Sequence, residues 1–430
     1  MKWMIDETRI ILEQLASEAK ESGREQAQYE TKVREILWEI ETRGQEALKE
    51  YSEKFDKFKG DTFLVSKEEI KAATKRVETE VMDALKQAKR NIVSFHEQQK
   101  QEAFIDSGRE GVLRGQLILP LEAVGVYVPG GTAAYPSSVL MNVLPAKIAG
   151  VKKIVMVTPP SETGIPDVIL AAANIAGVDE IYQVGGAQAI AALAYGTTCV
   201  PKVDKIVGPG NIYVASAKKL VFGHVAIDMI AGPSEIGVIA DDSANPVFIA
   251  ADLLSQAEHD ERARTFLVTD SIELAKKVEQ EVEKQLVTLP RKKIAEKSLA
   301  DFGKLIVVKN LEEAFNVMNA LAPEHLEIQL PEPLSYLPKI TNAGSVFLGS
   351  YASEPVGDYI AGANHVLPTS GTSRFYSPLG VYDFIKRTQF TYYSKKALEE
   401  DRQAIQILAR KEGLEAHARA VEVRFEEDNK

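Results

Sequence analysis

Cysteine and histidine are scarce in this sequence. The 430 residues include a single cysteine, Cys199, and six histidines. One cysteine excludes an intramolecular disulfide framework and any cysteine-rich zinc or iron–sulfur site. A transition metal bound to this chain would therefore need nitrogen and oxygen ligands. We interpret Cys199 as a small buried residue rather than a nucleophile.

Basic residues are fewer than acidic residues, and long apolar runs are absent from the sequence. Lys and Arg number 51 against 62 Asp and Glu, which gives a net charge of -11. An acidic chain repels a phosphate backbone, so nucleic acid is not an expected partner. No apolar run approaches the ~18 residues of a membrane span, so no membrane association is expected. Because the N-terminal segment carries acidic residues and lacks a cleavage site, it predicts an amphipathic helix rather than a signal peptide, and we expect a cytoplasmic location.

The pattern along the chain indicates an α/β protein of roughly two or three domains. Residues 1 to about 100 carry apolar positions at helical spacing, and Ser66 with Glu69 forms a capping box. From about residue 117, apolar strands alternate with helices and glycine-ended turns, beginning with one strand predicted over 117–128 before the Pro-Gly-Gly turn. This alternation is typical of βα units around parallel sheets covered on both faces. Two such blocks are predicted, with a break near 230–235. A charged helical tail follows from about residue 380.

Three glycine-rich turns each follow a predicted strand and precede a predicted helix, at 129–131, 184–188 and 208–211. Glycine lets the backbone approach a ligand, and a helix N-terminus favours anionic groups such as pyrophosphate. None of the turns has the G-x-G-x-x-G spacing of the standard dinucleotide fingerprint. Each alone is equally consistent with an ordinary turn, but three at successive strand ends predict a ligand pocket.

Polar side chains near the ends of predicted elements are candidate ligands. Gln256 and His259 lie three residues apart at the end of an apolar helix, so they can point the same way. Taken alone, this pair is more simply a solvated helix end. Asp358 and His365 lie in a stretch rich in Gly and Pro, which predicts a functional loop.

Glu324 and His325 place a carboxylate beside an imidazole at a predicted helix end. Histidine titrates near neutrality and can take a proton from an alcohol, while a carboxylate can activate water. His417 follows Glu412 by five residues in the last helix, where an exposed histidine is the simpler interpretation. Four of the side chains in these segments offer the nitrogen and oxygen atoms that zinc accepts as ligands. They are Gln256, His259, Asp358 and His417. Spacing alone does not show that the four converge.

Nine segments, in order between residues 125 and 417, together resemble the histidinol dehydrogenase family. They are GVYVPGG (125–131), VGGAQAIAALAYGT (184–197), VGPGNIYV (207–214), AGPSEI (231–236), LLSQAEHD (253–260), APEHLEI (322–328), GDYIAGANHVLPTSG (357–371), SRFYSPLGV (373–381) and EGLEAH (412–417). Each segment alone is a weak signal, whereas nine in the family's order are specific.

The resemblance implies an enzyme that oxidises L-histidinol to L-histidine through a bound aldehyde in two NAD-dependent steps. It implies zinc as a second cofactor, held by the four residues named above. Glu324 and His325 would be the acid–base pair. The residues implied to contact NAD are Tyr127, Gln188 and Asn211. The residues implied to bind the substrate are Ser234, Gln256, His259, His325, Asp358, Glu412 and His417.

The resemblance also implies an α/β architecture of two Rossmann-like three-layer blocks with parallel-rich sheets, plus small helical N- and C-terminal segments. The implied divisions are a first α/β domain for metal and substrate (27–128 and 234–379), a second α/β domain on the NAD side (129–233), a small helical domain (1–26 and 380–404) and a C-terminal segment that reaches the partner subunit (405–430). The implied assembly is a homodimer with shared active sites.

From the residues alone, two alternatives stay open. A zinc-dependent hydrolase could use Glu324 and His325 around a metal-bound water. That function would not explain the three glycine turns. A non-catalytic ligand-binding protein built on the same α/β blocks would make the acid–base pair and the metal set coincidences.

Overall fold

A computed structural model describes residues 1–130, 134–161 and 164–426, with the backbone alone for residues 19–28. Its strands are β1 (Lys2–Ile5), β2 (Phe104–Arg109), β3 (Val112–Pro120), β4 (Ala123–Tyr127), β5 (Lys153–Thr158), β6 (Glu180–Gln183), β7 (Lys205–Val207), β8 (Ala226–Ile227), β9 (Glu235–Ala240), β10 (Arg264–Thr269), β11 (Lys304–Val307), β12 (His325–Gln329), β13 (Ser345–Leu348) and β14 (Ile385–Tyr393).

The α-helices are α1 (Thr8–Arg43), α2 (Gln45–Asp56), α3 (Lys67–Arg76), α4 (Thr79–Glu97), α5 (Pro136–Ala149), α6 (Asp167–Ala176), α7 (Gly186–Tyr195), α8 (Ile212–Val221), α9 (Pro246–Ala257), α10 (Ile272–Leu286), α11 (Lys292–Asp301), α12 (Leu311–Leu321), α13 (Glu354–Tyr359), α14 (Lys395–Lys411) and α15 (Glu415–Glu422). Short 3-10 helices cover Pro333–Lys339, Thr372–Arg374, Val381–Phe384 and Val423–Phe425. At the start of α3, the Glu69 N–H donates to Ser66 Oγ at 3.1 Å, which confirms the predicted cap.

The chain forms two compact units. The first comprises Met1–Lys100 and Leu121–Phe384, and the second comprises Gln101–Pro120 and Ile385–Lys430. The finer division into domains that the resemblance implies stays a prediction. None of the described helices combines the length and apolar character that a membrane crossing requires.

A five-stranded parallel sheet in the first unit has the order β6-β5-β4-β7-β8. Along β5, Ile154 and Met156 pack into one apolar core, while Val155 and Val157 pack into another. All four side chains are fully buried. Because successive side chains of a strand point to opposite faces, this sheet is covered on both sides, as its continuous apolar strands predict.

A six-stranded parallel sheet in the same unit has the order β1-β11-β10-β9-β12-β13. Its strands also divide their side chains between two cores, as Leu267 and Val268 of β10 do. The five-stranded sheet ends with Ile227 and β9 begins at Glu235. The predicted α/β class, with two parallel blocks and a break near 230–235, is therefore confirmed.

The second unit contains an antiparallel sheet of order β14-β3-β2, with helices α14 and α15. Arg109 of β2 donates to Asp401 of α14 at 2.6 Å, which ties the sheet to its helix. The sequence analysis predicted only helix beyond residue 380, and β14 shows that this was wrong. A strand of nine residues forms there because β3 supplies a matching backbone edge, a partner that local spacing does not reveal.

Two other strand predictions were wrong for similar reasons. The first residues, taken as part of a helix, form β1, which pairs in parallel with β11 from Lys2 opposite Lys304. The segment from 117 to 128, predicted as a single strand, divides between β3 and β4. Those two strands belong to different sheets, since β3 pairs with β14 and β4 pairs with β5. In each case a distant strand decided the conformation.

Candidate active site

Glu324 and His325 lie at the amino edge of the six-stranded sheet, where β12 begins. Helix α12 ends at Leu321, Ala322 adopts a left-handed conformation with φ of 52°, and His325 starts the strand. The prediction that the pair lies at the end of a helix was wrong, because it lies at the start of the strand that follows. Residues 324 and 325 are only 7% and 4% exposed, because β12 lies between β9 and β13.

The hydrogen bonds of His325 define which ring nitrogen carries the proton. Nδ1 lies 2.9 Å from Gln256 Oε1 and 3.0 Å from the backbone oxygen of Glu235. Because a carbonyl oxygen only accepts, Nδ1 is the protonated nitrogen and Nε2 carries the lone pair. Nε2 has no hydrogen-bond partner among the described residues and lies 3.9 Å from Asp358 Oδ1. Burial lowers the pKa of His325 to about 3, so the ring is neutral near pH 7.

The Glu324 carboxylate is held by the neighbouring strand. Its Oε2 accepts the backbone N–H of Glu235 at 2.9 Å and lies 3.8 Å from His325 Nδ1. Burial raises the pKa of Glu324 well above its ordinary value. Glu235 thus positions both members of the pair, through its N–H for one and its C=O for the other. The sequence analysis assigned a role to the adjacent Ser234, which is half-buried, but missed Glu235.

A possible metal-binding cluster lies beside His325. Among the described residues, His259, Glu354 and Asp358 bring one ligand atom each to within 4.8 Å of one another. Burial is the main reason that the pKa of Asp358 is raised to about 6 and that of Glu354 to about 8. Two buried carboxylates this close repel each other when ionised, and a bound cation would offset that repulsion.

Gln256 lies at the edge of this cluster. It is 0% exposed, its Oε1 contacts His325, and its Nε2 has no hydrogen-bond partner among the described residues. The structure therefore groups His259 and Asp358, two of the four predicted metal ligands, and places Gln256 against the neighbouring His325. These oxygen and nitrogen groups fit zinc, which accepts imidazole and carboxylate ligands.

Glu354 is a second site residue that was not predicted from the sequence. The predicted loop around Asp358 contains the short helix α13, which places Glu354 and Asp358 four residues apart on one face. The backbone N–H of Glu354 donates to Glu327 Oε1 at 2.9 Å, and Ser255 Oγ donates to Glu354 Oε2 at 3.0 Å. The i, i+4 spacing of two acids was the available signal.

His365 contacts the same site through Asp358. Its Nδ1 lies 3.1 Å from the backbone oxygen of Asp358, and its Nε2 lies 3.2 Å from Ser138 Oγ. Burial lowers the pKa of His365 to about 4, so it is also neutral near pH 7. A backbone carbonyl at Nδ1 makes that nitrogen the donor and leaves Nε2 to accept from Ser138.

The predicted NAD residues lie around glycine turns at the carboxyl edge of the five-stranded sheet. The Gly186 N–H donates to the Tyr127 hydroxyl at 3.1 Å, and burial raises the pKa of Tyr127 to about 12. Gln188 is buried in the first turn of α7. Asn211 caps α8, since its Oδ1 accepts from the N–H groups of residues 213 and 214 at 3.1 and 3.2 Å.

One close approach joins two of these turns. Gly208 has a φ of +111°, and a Cβ there would lie 2.1 Å from the backbone oxygen of Tyr127. Only glycine fits that position, so the turn leading to Asn211 packs directly against Tyr127. Gly131, in the remaining glycine turn, lies outside the described residues.

Glu412 and His417 belong to the second unit. Glu412 follows the last residue of α14, and His417 lies in the first turn of α15. Both side chains are exposed within that unit. Their predicted roles in substrate and metal binding stay predictions.

Comparison with known proteins decides the family. The histidinol dehydrogenase family model matches residues 19–425. The chain belongs to the histidinol dehydrogenase family. It is 62% identical over 402 residues to a histidinol dehydrogenase of Listeria monocytogenes serotype 4b (strain F2365), covering 94% of each chain. It is 59% identical over 429 residues to that of Listeria innocua, covering 100% of each.

A solved structure of the family has the same fold. The crystal structure of histidinol dehydrogenase from Elizabethkingia anophelis superposes with a TM-score of 0.88 at 43% identity, over 93% of each chain. The family predicted from the nine segments is therefore confirmed, and with it an oxidoreductase of histidine biosynthesis. The hydrolase and the non-catalytic alternatives are set aside.

Proposed function

We propose that this chain oxidises L-histidinol to L-histidine through L-histidinaldehyde, with the described residues in the roles that follow. The observation that carries the proposal is the state of His325, a neutral imidazole whose Nε2 is buried, unprotonated and without a partner among the described residues. Such a nitrogen can take a proton from an alcohol. NAD, when bound, supplies the hydride acceptor for each of the two oxidations.

In the first oxidation, His325 Nε2 removes the hydroxyl proton of histidinol while the carbon loses hydride, which leaves the aldehyde. The positive charge that forms on the ring is stabilised by Asp358, whose Oδ1 lies 3.9 Å from Nε2. The Gln256 and Glu235 oxygens at Nδ1 hold the ring plane and its tautomer. Burial excludes bulk water, which strengthens these interactions.

In the second oxidation, the Glu324 carboxylate takes a proton from the water that adds to the aldehyde. The hydrate then loses hydride and a proton to give the carboxylic acid. A carboxylate whose pKa is raised by burial is a stronger base once ionised, so the environment of Glu324 suits this step.

Zinc is the proposed metal, held by Gln256, His259 and Asp358 of one chain and His417 of the partner subunit. When bound, it supplies positive charge that orients the amine and imidazole nitrogens of the substrate. The cluster at His259 and Asp358 supports this proposal. Ser234 and the carboxylates of Asp358 and Glu412 suit a cationic amino alcohol. Tyr127, Gln188 and Asn211 would contact NAD.

The proposed assembly is a homodimer in which the second unit serves the partner's site. Leu113, Leu117 and Leu119 alternate along one face of β3 and are 39%, 43% and 38% exposed. Ile105 of β2, opposite Gly115 of β3, is 68% exposed. An apolar sheet face of this kind indicates an interface, and a second copy of the chain is the occupant that would also use Glu412 and His417.

The reaction is tested with purified protein, histidinol, NAD and zinc, followed by NADH absorbance and product analysis. Two NADH and one histidine for each histidinol are expected. One NADH with accumulated aldehyde would contradict the second step. No NADH from protein shown to hold both zinc and NAD would overturn the proposal.

The shared site is tested by mixing two inactive variants, Gln256→Ala and His417→Ala, and allowing subunits to exchange. Half of the randomly formed dimers then contain one copy of each, and one of their two sites is intact, so about one quarter of full activity is expected. No recovery in verified mixed dimers would show that each site is built from one chain.

A further inference from the structure

Asp56 is a half-buried carboxylate at the NAD-side glycine turn, and neither the sequence nor the proposed mechanism gives it a role. It is the last residue of α2, and Lys57 after it adopts a left-handed conformation. Asp56 Oδ2 accepts the backbone N–H of Gly185 at 3.0 Å and the side-chain amide of Gln188 at 3.1 Å. Burial raises its pKa above the ordinary value although both hydrogen bonds act in the opposite direction.

The turn that Asp56 contacts has little freedom elsewhere. A Cβ on Gly185 would lie 2.5 Å from the ring of Pro159, and Gly186 has a φ of +61°. The Gly186 N–H donates to the Tyr127 hydroxyl at 3.1 Å. Two successive backbone amides at the start of α7 are therefore held by two side chains, Asp56 and Tyr127.

The same contacts link the two residues proposed for NAD binding on this turn. Tyr127 is joined to Gly186, Gly186 follows Gly185, and Gly185 shares the Asp56 oxygen with Gln188. Because the side chain of Gln188 has several rotamers, its carbonyl oxygen is directed only while the amide nitrogen is held. Asp56 is the residue that holds it.

We infer that Asp56 is a positioning residue of the dinucleotide site, which fixes the Gln188 side chain and the Gly185–Gly186 turn without contacting the reacting atoms. The inference rests on the proposed NAD contacts of Tyr127 and Gln188. A preorganised site binds more tightly because less side-chain freedom is lost on binding. Loss of Asp56 should therefore weaken NAD binding and leave histidinol binding intact.

The test measures steady-state kinetics of Asp56→Ala in the zinc-loaded protein, together with direct NAD binding by calorimetry and Tm. The KM and Kd for NAD should rise at least tenfold, while the KM for histidinol stays within twofold and kcat within threefold. Asp56→Asn keeps an oxygen acceptor of the same reach and should recover NAD binding to within threefold of the parent. Glu53→Ala, on an exposed residue of the same helix, is the matched control and should change neither constant.

A purely structural role would lower Tm and leave the constants for NAD within twofold, and that result would overturn the inference. If Asp56→Ala does not fold, Asp56→Glu replaces it, since the longer side chain keeps the charge but displaces the acceptor. The same tenfold loss for NAD is then expected, and unchanged NAD binding would again overturn the inference.

The variant Gln188→Ala distinguishes a failure of the Asp56 inference from a failure of the proposed NAD contacts. If the KM for NAD rises in Gln188→Ala but not in the Asp56 variants, the positioning role of Asp56 is wrong and the proposed NAD contact of Gln188 stands. If Gln188→Ala also leaves NAD binding unchanged, the proposed NAD contacts are themselves wrong.

Discussion

His325 shows how much of this chemistry depends on the surroundings of one side chain. An imidazole in water has a pKa of about 6.5 and no fixed tautomer. In this chain burial lowers that pKa to about 3, and two oxygen acceptors fix the proton on Nδ1. The result is a nitrogen base that stays unprotonated throughout the physiological pH range. Its low proton affinity also means that the site must stabilise the protonated ring during turnover, a task that suits the nearby carboxylates.

The first residue-scale prediction concerns that base. His325→Asn should lower kcat by ~10²–10⁴-fold, the usual contribution of a positioned acid or base. Zinc content should change little, since His325 is not among the proposed metal ligands, and histidinol should still bind through the remaining substrate-binding residues. The measurements are NADH formation, metal analysis and calorimetry. The control is His224→Asn, because His224 is exposed and distant from His325 in the sequence. Undiminished turnover would remove His325 from the mechanism.

The second residue-scale prediction separates the two oxidations. Glu324→Gln keeps an oxygen that can accept the Glu235 N–H but cannot take a proton from water. Oxidation of histidinol to the aldehyde should therefore fall less than oxidation of the aldehyde, which should slow by ~10²-fold or more. Supplying histidinaldehyde directly measures the second step, and exposed Glu332→Gln is the control. Equal losses in both steps would contradict the assigned role.

At the scale of elements, the two sheets use opposite edges. The glycine turns follow the carboxyl ends of β6 and β7, the usual ligand edge of a parallel sheet. Glu235 and His325 instead begin β9 and β12, at the amino edge of the other sheet. Helix α9 returns from the far end of β9, so its last turn brings Gln256 to that same edge. The catalytic pair therefore depends on a strand–helix unit that folds back to the strand's start.

The element-scale prediction concerns the turn after β7. Gly208→Ala would place a methyl group 2.1 Å from the Tyr127 backbone oxygen, at a φ of +111°. We expect a loss of at least ~2 kcal/mol in the free energy of unfolding from the strain and the clash together, and a higher KM for NAD.

Gly223→Ala is the matched control for that variant. Gly223 also has a positive φ, +100°, but a Cβ there meets nothing within 4 Å. It should cost only the backbone strain, ~1 kcal/mol, with an unchanged KM for NAD. Denaturant unfolding measures both, and equal losses for the two variants would show that the contact with Tyr127 has no effect.

At the scale of the whole molecule, the buried acids link stability to pH. Burial raises the pKa of Asp358 to about 6, Glu235 to about 7 and Glu354 to about 8. The imidazoles of His325 and His365 have lowered pKa values of about 3 and 4, and they would favour the folded state as pH rises toward 6.5. An unfolded imidazole is half protonated at about pH 6.5 and neutral by about pH 7.5, so the more numerous carboxyls outweigh the two imidazoles from pH 6.5 upward and alone alter the balance above about pH 7.5.

The prediction at this scale is that metal-free protein loses stability between pH 6.5 and 8. In that window the folded carboxyls still hold protons that the unfolded chain has released, so the free energy of unfolding falls as pH rises. Thermal unfolding of chelator-treated protein should show a falling Tm, and added zinc should raise Tm more at pH 8 than at pH 6.5. Glu354→Gln should flatten the dependence. A Tm that rises across this window would contradict the buried-acid account.

Particular elements show where sequence reasoning succeeded. The parallel strands were predictable because burial on both faces demands continuous apolar runs, as in β5. The Ser66 cap was predictable because it depends on residues three apart. Strands β1 and β14 were not predictable, since each owes its conformation to a partner hundreds of residues away. Glu235 and Asp56 were missed for the same reason, because their roles consist of contacts with distant segments.

The family, the α/β class and the types of ligand available follow from the amino-acid sequence, because they depend on residue identity, order and local period. A chain with one cysteine has to build its metal site from nitrogen and oxygen, whatever its fold. Folding brings Gln256 and Asp358 to His325, leaves Nε2 of that ring without a hydrogen-bond partner among the described residues, and places Glu354 beside Asp358. Those properties follow from burial and from hydrogen bonds between segments far apart in the chain, where the local pattern holds no information.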